Sequence, residues 1–373
     1  MDQDPSLPAG ATRPEWAPER AGTEFASFVS PGVVQLPVAA PPPAPVQAPG
    51  PEQLAEGILA GNRSMLARAI TLVESNAPRH RAQADDLVRR ILPHAGKSIR
   101  IGISGPPGVG KSTFIDAWGV RLVEQGRKVA VLAIDPSSSI NRGSILGDKT
   151  RMENLVRYPE AFIRPSPSGG ALGGVARKTR ETILLVEAAG FDVVVVETVG
   201  VGQSETTVRS MTDLFLLLQL AGSGDDLQGI KKGIMEIADL IAITKADGDN
   251  RQRAGLARAT LHSAVLGLQA FTPGWKPPVV TCSSVTGDGL DDIWQEIQNF
   301  RGHCETKGVF QSRRDGQIQD WVWDLAHETI LGAFDRSDEV AEAWKQVRDG
   351  LNGGAMSAPE ALARVVSAFR FPG

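Results

Sequence analysis

The residues best suited to chemistry lie in "GISGPPGVGKSTFIDAWG", residues 102–119. Gly105, Gly108 and Gly110 fall within six residues, which suggests a backbone that must come close to something rather than pack side chains. "GPPGVGKS" fits G-x-x-x-x-G-K-[ST] between a strand pattern and a helix pattern, where a phosphate-cradling loop belongs. Backbone N–H groups of 107–113 can converge there on a β-phosphate, aided by the positive end of the following helix. Lys111 then reaches β- and γ-phosphate oxygens, the Ser112 hydroxyl ligates Mg²⁺, and Thr113 lies near the α-phosphate. The expected phosphate contacts are Gly105, Pro106, Pro107, Gly108, Val109, Gly110, Lys111, Ser112 and Thr113.

Three acidic positions near strand ends suit a metal site: Asp135 after "VAVLAI", Glu197 after "FDVVVV", and Asp148 in the polar, glycine-marked "GSILGDKTRM". Mg²⁺ keeps several waters, so some of these carboxylates are expected to act through water. "ETVG" at 197–200 reads as a switch whose Gly200 amide senses the γ-phosphate. Val201 stands where many GTPases carry a water-orienting Gln, and Gln203 lies two positions away. Slow intrinsic hydrolysis follows, driven by positioning and charge neutralisation. Lys111, Glu197, Gly200 and Gln203 are the catalytic candidates.

"ITKAD" at 243–247 follows a strand pattern and resembles the guanine-reading N-K-x-D motif, with Thr244 in place of Asn. Its Asp, Asp247 here, accepts from guanine N1–H and the exocyclic amine, and the Lys245 stem packs on the ring. Adenine presents an acceptor at N1, so the reading favours GTP over ATP. "CSSV" at 282–285, through Ser283, Ser284 and Val285, supplies the loop expected over the guanine edge.

These residues need a scaffold, and the chain's patterning supplies one. Seven apolar runs alternate with amphipathic helices from Ser98 to about residue 305: "IRIGISG", "KVAVLAIDP", "AFIRPS", "FDVVVVET", "DLFLLLQL", "DLIAITKAD" and "PVVTCSS". Near-continuous apolar strands separated by helices indicate an α/β fold, a mostly parallel sheet covered on both faces. The expected helices between them are 174–189, 229–238, 251–269 and 290–300. Ahead of this core, residues 51–97 read as a helical segment. A stripe of Leu54, Ile58, Leu66, Ile70 and Val73 is stopped by Pro78, and a second helix runs through "HRAQADDLVRRILPHAG". Residues 306–373 hold only helical patterns, with Trp321, Trp323, Leu325 and Ile330 as apolar surface for the chain's own core or for an oligomer interface. Residues 1–50 contain 11 of the 25 prolines and read as a disordered or extended tail.

Composition narrows the classes. A net charge of −4 over 373 residues argues against nucleic acid as the main partner. Cys282 and Cys304 are too few for a disulfide framework. No apolar run reaches the roughly 18 residues of a membrane span. Asp2, Asp4, Glu15, Glu19 and Glu24 suit neither a secretory signal nor an Arg-rich transit peptide, so a cytoplasmic protein is expected.

The motifs together resemble one family. "ARAITLVES" (67–75), "GPPGVGKST" (105–113), "DPSS" (135–138), "GSILGDKTRM" (143–152), "ETVGVGQSE" (197–205), "GDDLQGIKKGIMEIAD" (224–239) and "TKADGDN" (244–250) resemble the MeaB/ArgK-type G-protein chaperones of cobalamin-dependent acyl-CoA mutases. The likeness runs over about residues 53–305. It implies a P-loop domain of the SIMIBI type with a C-terminal helical dimerisation arm. It further implies a homodimeric GTPase using GTP/GDP and Mg²⁺, which binds an adenosylcobalamin-dependent mutase such as methylmalonyl-CoA mutase. Such a protein gates cofactor loading, protection and reactivation, and is accelerated by its mutase. Residues 222–236, with Lys231 and Lys232, match an extra switch loop that relays nucleotide state. Departures are Thr244, Ser284 where the guanine loop usually has Ala, "SINR" after 138, and the proline-rich tail. No D-x-H-x-x-G segment is present, and His80, His94, His262, His303 and His327 are scattered, so the chain itself offers no cobalamin site. A nickel-insertion GTPase shares the nucleotide core but tends to carry the Cys/His clusters absent here. An ATP-using kinase linked to amino-acid transport is the other alternative, and Asp247 argues against its base.

Overall fold

In the computed structural model the described residues are the backbone at 11–12 and 27–28, together with 48–134, 152–165, 172–198, 204–221 and 232–370. The chain divides into two units, residues 1–48 and 49–373. In the first, Ala11–Thr12 and Ser27–Phe28 pair antiparallel.

The second unit is built on a seven-stranded sheet. Its strands are β1 (Ile99–Ser104), β2 (Val129–Ile134), β3 (Ala161–Pro165), β4 (Val193–Thr198), β5 (Leu214–Leu220), β6 (Leu240–Thr244) and β7 (Val279–Thr281). They lie in the order β3-β2-β4-β1-β5-β6-β7, every pair parallel. The seven strands coincide with the seven apolar runs. The helices are α1 (Pro51–Leu59), α2 (Arg63–Val73), α3 (Pro78–Ile91), α4 (Lys111–Glu124), α5 (Leu172–Ala188), α6 (Ser204–Arg209), α7 (Lys232–Ile237), α8 (Arg251–Leu266), α9 (Leu290–Thr306), α10 (Val309–Asp335), α11 (Asp338–Asn352) and α12 (Ala358–Ala368).

Successive strand side chains point to opposite faces, so an all-apolar strand feeds two cores. Val194 and Val196 join Leu87, Ile91, Leu185, Val208 and Leu261 on one side. Val193 and Val195 join Phe114, Trp118, Leu122, Ile297 and Phe300 on the other. Cys282 and Cys304 lie in the second core as free thiols, burial pushing them up to about 12 and about 11. They act as packing residues.

The N-terminal apolar stripe is two helices rather than one. Gly61 takes φ +73°, and the Asn62 side chain then caps α2 by accepting from the N–H groups of Ser64 (3.0 Å) and Met65 (3.2 Å). Pro78 opens α3 as its first residue, where a missing N–H costs nothing. The helix after β7 runs to Thr306, and α10 begins at Val309, well before the apolar pattern that marks it. Among the described residues no helix is long and apolar enough to cross a membrane.

Candidate functional site

Because all seven strands are parallel, the segments leaving their C-terminal ends gather along one edge of the sheet, where α/β folds bind ligands. The loop after β1, Glu197 near the end of β4, the segment after β6 and the turn after β7 all emerge there.

The β1–α4 loop is shaped by its glycines. Gly108 (φ +76°) and Gly110 (φ +91°) adopt left-handed conformations. A Cβ on Gly105 would stand 2.6 Å from the Leu218 carbonyl oxygen, so the loop runs against β5. Val109 turns inward and is buried, whereas Pro107 and Gly108 are exposed. The first bond into α4 runs from Phe114 N–H to Gly110 O at 2.8 Å. Lys111, Ser112 and Thr113 therefore form the first turn, where amides lack acceptors within the helix.

The Lys111 ammonium folds back on this loop, donating to the carbonyls of Gly105 (2.8 Å) and Pro106 (3.4 Å). Burial lowers its pKa, and the carboxylates of Glu197 and Glu205 work against that shift. A half-buried cation held by neutral carbonyls fits an anion at the mouth of the loop. Ser112 Oγ donates to Glu197 Oε1 at 3.1 Å, bringing a hydroxyl and a carboxylate together. These are hard oxygen donors of the kind Mg²⁺ takes. Beside them Thr198 Oγ1 donates to Ser104 Oγ (3.0 Å), tying the ends of β4 and β1.

The base-side segments form a second cluster. Thr244 Oγ1 lies 2.8 Å from Val109 O and 3.3 Å from Gln219 O. Lys245, at φ 58°, donates to Gly108 O at 2.9 Å. Ser283 Oγ donates to Asp247 Oδ2 at 2.5 Å and accepts from the N–H groups of Val285 and Thr286, each at 3.2 Å. Ser283 is thus buried beneath the loop and holds the Asp247 carboxylate, whereas Ser284 is half-buried and Val285 exposed. The tight turn needs Gly289, since a Cβ there would stand 2.1 Å from Thr281 O.

The structure therefore gathers residues 105–113, Glu197, Thr244, Lys245, Asp247 and 283–285 at one edge. Asp135, Asp148, Gly200, Gln203 and residues 222–231 lie outside the described residues, and only the backbone of Lys232 is described. Two features escape the motif reading. One is the Thr198–Ser104 tie. The other is an ion-pair network at the opposite edge. There Arg314 of α10 binds Asp213 bidentately (2.8 and 2.7 Å), and Arg100 of β1 binds Glu187 of α5 (2.8 and 2.7 Å). The lone Arg100 in an apolar strand was the available signal.

Comparison with known proteins decides the family. Residues 66–339 match the family described as "Methylmalonyl Co-A mutase-associated GTPase MeaB". The chain belongs to the MeaB family. A probable GTPase of Mycobacterium tuberculosis is 49% identical over 83% of this chain and 93% of its own length. The "Methylmalonic aciduria type A homolog, mitochondrial" of Mus musculus is 42% identical over 86% of this chain and 79% of its own. The crystal structure of a LAO/AO transport system kinase superposes with a TM-score of 0.68 at 39% identity, covering 85% of this chain and 96% of that one. This MeaB-family chain is accordingly a P-loop GTPase that binds guanine nucleotide.

Proposed function

We propose that this MeaB-family GTPase serves an adenosylcobalamin-dependent acyl-CoA mutase of the methylmalonyl-CoA mutase type, gating cofactor loading, protection and reactivation. The supporting observation is the match over residues 66–339 to a family described by its association with that mutase. The GTP phosphates sit on the 105–113 loop. Lys111 exchanges the carbonyls of Gly105 and Pro106 for β- and γ-phosphate oxygens, which is favourable for a desolvated ammonium. Ser112 and Glu197 would hold Mg²⁺, with Asp135 and Asp148 as the further carboxylates proposed for it, some acting through water. When bound, Mg²⁺ supplies neutralisation of the charge that develops on the phosphates.

Asp247, braced by Ser283, reads the guanine edge, with Lys245 along the ring and Ser284 and Val285 over it. Gly200 senses the γ-phosphate and Gln203 orients water less directly than a residue at 201 would. Turnover is accordingly slow until the mutase binds the switch loop at 222–236. The protein works as a homodimer through its arm, where Ile318, Val322, Trp323, Ile330 and Leu331 of α10 are exposed.

GTP and ATP turnover of the purified chain, alone and with a panel of acyl-CoA mutases, tests this reading. Slow GTP hydrolysis that rises many-fold with one mutase is expected and identifies the client. No acceleration by any mutase, or a preference for ATP, overturns it.

A further inference from the structure

Thr244 stands at the end of β6, where the guanine-reading motif usually has Asn, and its hydroxyl is turned to the phosphate loop. The side chain is buried, with Oγ1 2.8 Å from Val109 O and 3.3 Å from Gln219 O. Both neighbours are acceptors, and a hydroxyl has a single proton to give. That proton is committed to the phosphate loop. The next residue does the same: Lys245 donates to Gly108 O at 2.9 Å. Successive residues of the base segment thus hold successive carbonyls of the phosphate loop.

Guanine offers a second recognisable edge, the acceptors N7 and O6. A carboxamide has two N–H donors, enough for both a loop carbonyl and N7. Thr244 has one. Resting on the guanine-site reading above, we propose that Thr244 is a positioning residue that fixes the phosphate loop at Val109 and leaves guanine N7 unread. Base selection then falls on Asp247, whose carboxylate Ser283 holds at 2.5 Å.

Competition binding with GDP, 7-deaza-GDP (N7 replaced by C–H) and ADP separates these roles in the full chain, T244N and T244V. The unaltered chain is expected to bind GDP and 7-deaza-GDP within about twofold. T244N is expected to prefer GDP over 7-deaza-GDP by on the order of fivefold, the worth of one net hydrogen bond. T244V, which keeps the shape but not the hydroxyl, is expected to weaken both by a similar factor without changing their ratio. A fivefold or larger preference for GDP over 7-deaza-GDP in the unaltered chain would show N7 to be read and overturn the proposal. Unchanged GDP affinity in T244V overturns the tethering half. ADP binding as tight as GDP binding instead overturns the guanine reading itself, and the inference with it.

Discussion

Replacing Arg314 by Met is expected to loosen the C-terminal helices without touching the nucleotide edge. Arg314 is 6% exposed on α10, and its guanidinium makes four hydrogen bonds across the fold. Two go to the Asp213 carboxylate at 2.8 and 2.7 Å, one to Gly96 O at 2.5 Å and one to Ser98 O at 2.7 Å. The cation also lies 4.5 Å from the centroid of the Phe310 ring. Met fills similar volume, so little of the loss is a cavity. The loss is electrostatic: Asp213, 1% exposed, would remain buried without its cation.

Removing one partner of a buried pair costs about 3–5 kcal/mol. Asp213 keeps the donation from Arg100 N–H at 2.8 Å, which places the expected cost near the lower bound, about 3 kcal/mol. At roughly 2.1 cal/mol/K per residue, the unit from residue 49 to 373 loses roughly 1.5 °C of Tm per kcal/mol, so a fall of about 4–5 °C is expected. The assay is thermal and urea unfolding of R314M, D213N and the double variant. Removing the stranded charge should restore part of the loss in the double variant, with a coupling above about 1 kcal/mol. A Tm for R314M within about 2 °C of the parent, or additive single effects, would refute the buried-charge reasoning.

Three further outcomes follow from the same geometry. Lys111→Ala is expected to cut GTP turnover by about 10²–10³-fold with little change in Tm, because among the described residues the ammonium hydrogen-bonds only carbonyls of its own loop; unaltered turnover would remove Lys111 from the site. Gly105→Ala should weaken GDP binding at least tenfold, by order of magnitude, because its Cβ would stand 2.6 Å from the backbone oxygen of Leu218 and the loop must shift; parent-like binding in a titration contradicts that. Glu181 on α5 is raised to about 7 by burial, above an unfolded value of 4.5, so the native state holds its proton more tightly. Its contribution to stability therefore falls as pH rises from about 4.5 to about 7 and is level above that. Glu181→Gln should flatten that part of the stability profile in urea titrations at pH 5 and pH 8, and an unchanged profile tells against it.

The sheet and the nucleotide edge were legible in the sequence for one physical reason. A strand buried on both faces must be apolar throughout, and in a parallel sheet the functional residues follow directly after such runs. "GPPGVGKS" after Ser104 and "TKAD" after Ile243 are therefore placed by the strands preceding them. The helical parts obey a weaker rule, since periodicity assumes that charges face water. Arg314 breaks that assumption, and the polar run from Gln311 to Asp315 conceals the first turns of α10. Likewise the continuous stripe from Leu54 to Val73 hides the break at Gly61, because both short helices turn their apolar faces to one core.

What the one-dimensional reading could not supply is the direction in which a polar side chain points. At Thr244 that direction changes the chemistry. The motif suggests a residue facing the base, whereas its hydroxyl bonds Val109 O in the phosphate loop. Thr244 and Lys245 together join the base segment to the loop carbonyls at 108 and 109, and Ser283 joins the last turn to Asp247. A nucleotide that draws Lys111 off the carbonyls of Gly105 and Pro106 must therefore act on a loop whose far end is already fixed. The motion left to the loop lies between Gly105 and Gly108, next to the ends of β1 and β4, where Thr198 is hydrogen-bonded to Ser104. Strand β4 leads directly into "VGVGQ", so a phosphate-dependent shift at Lys111 has one hydrogen-bonded route to the end of β4, through Ser104 and Thr198, and a second to the base segment, through the carbonyls of Gly108 and Val109.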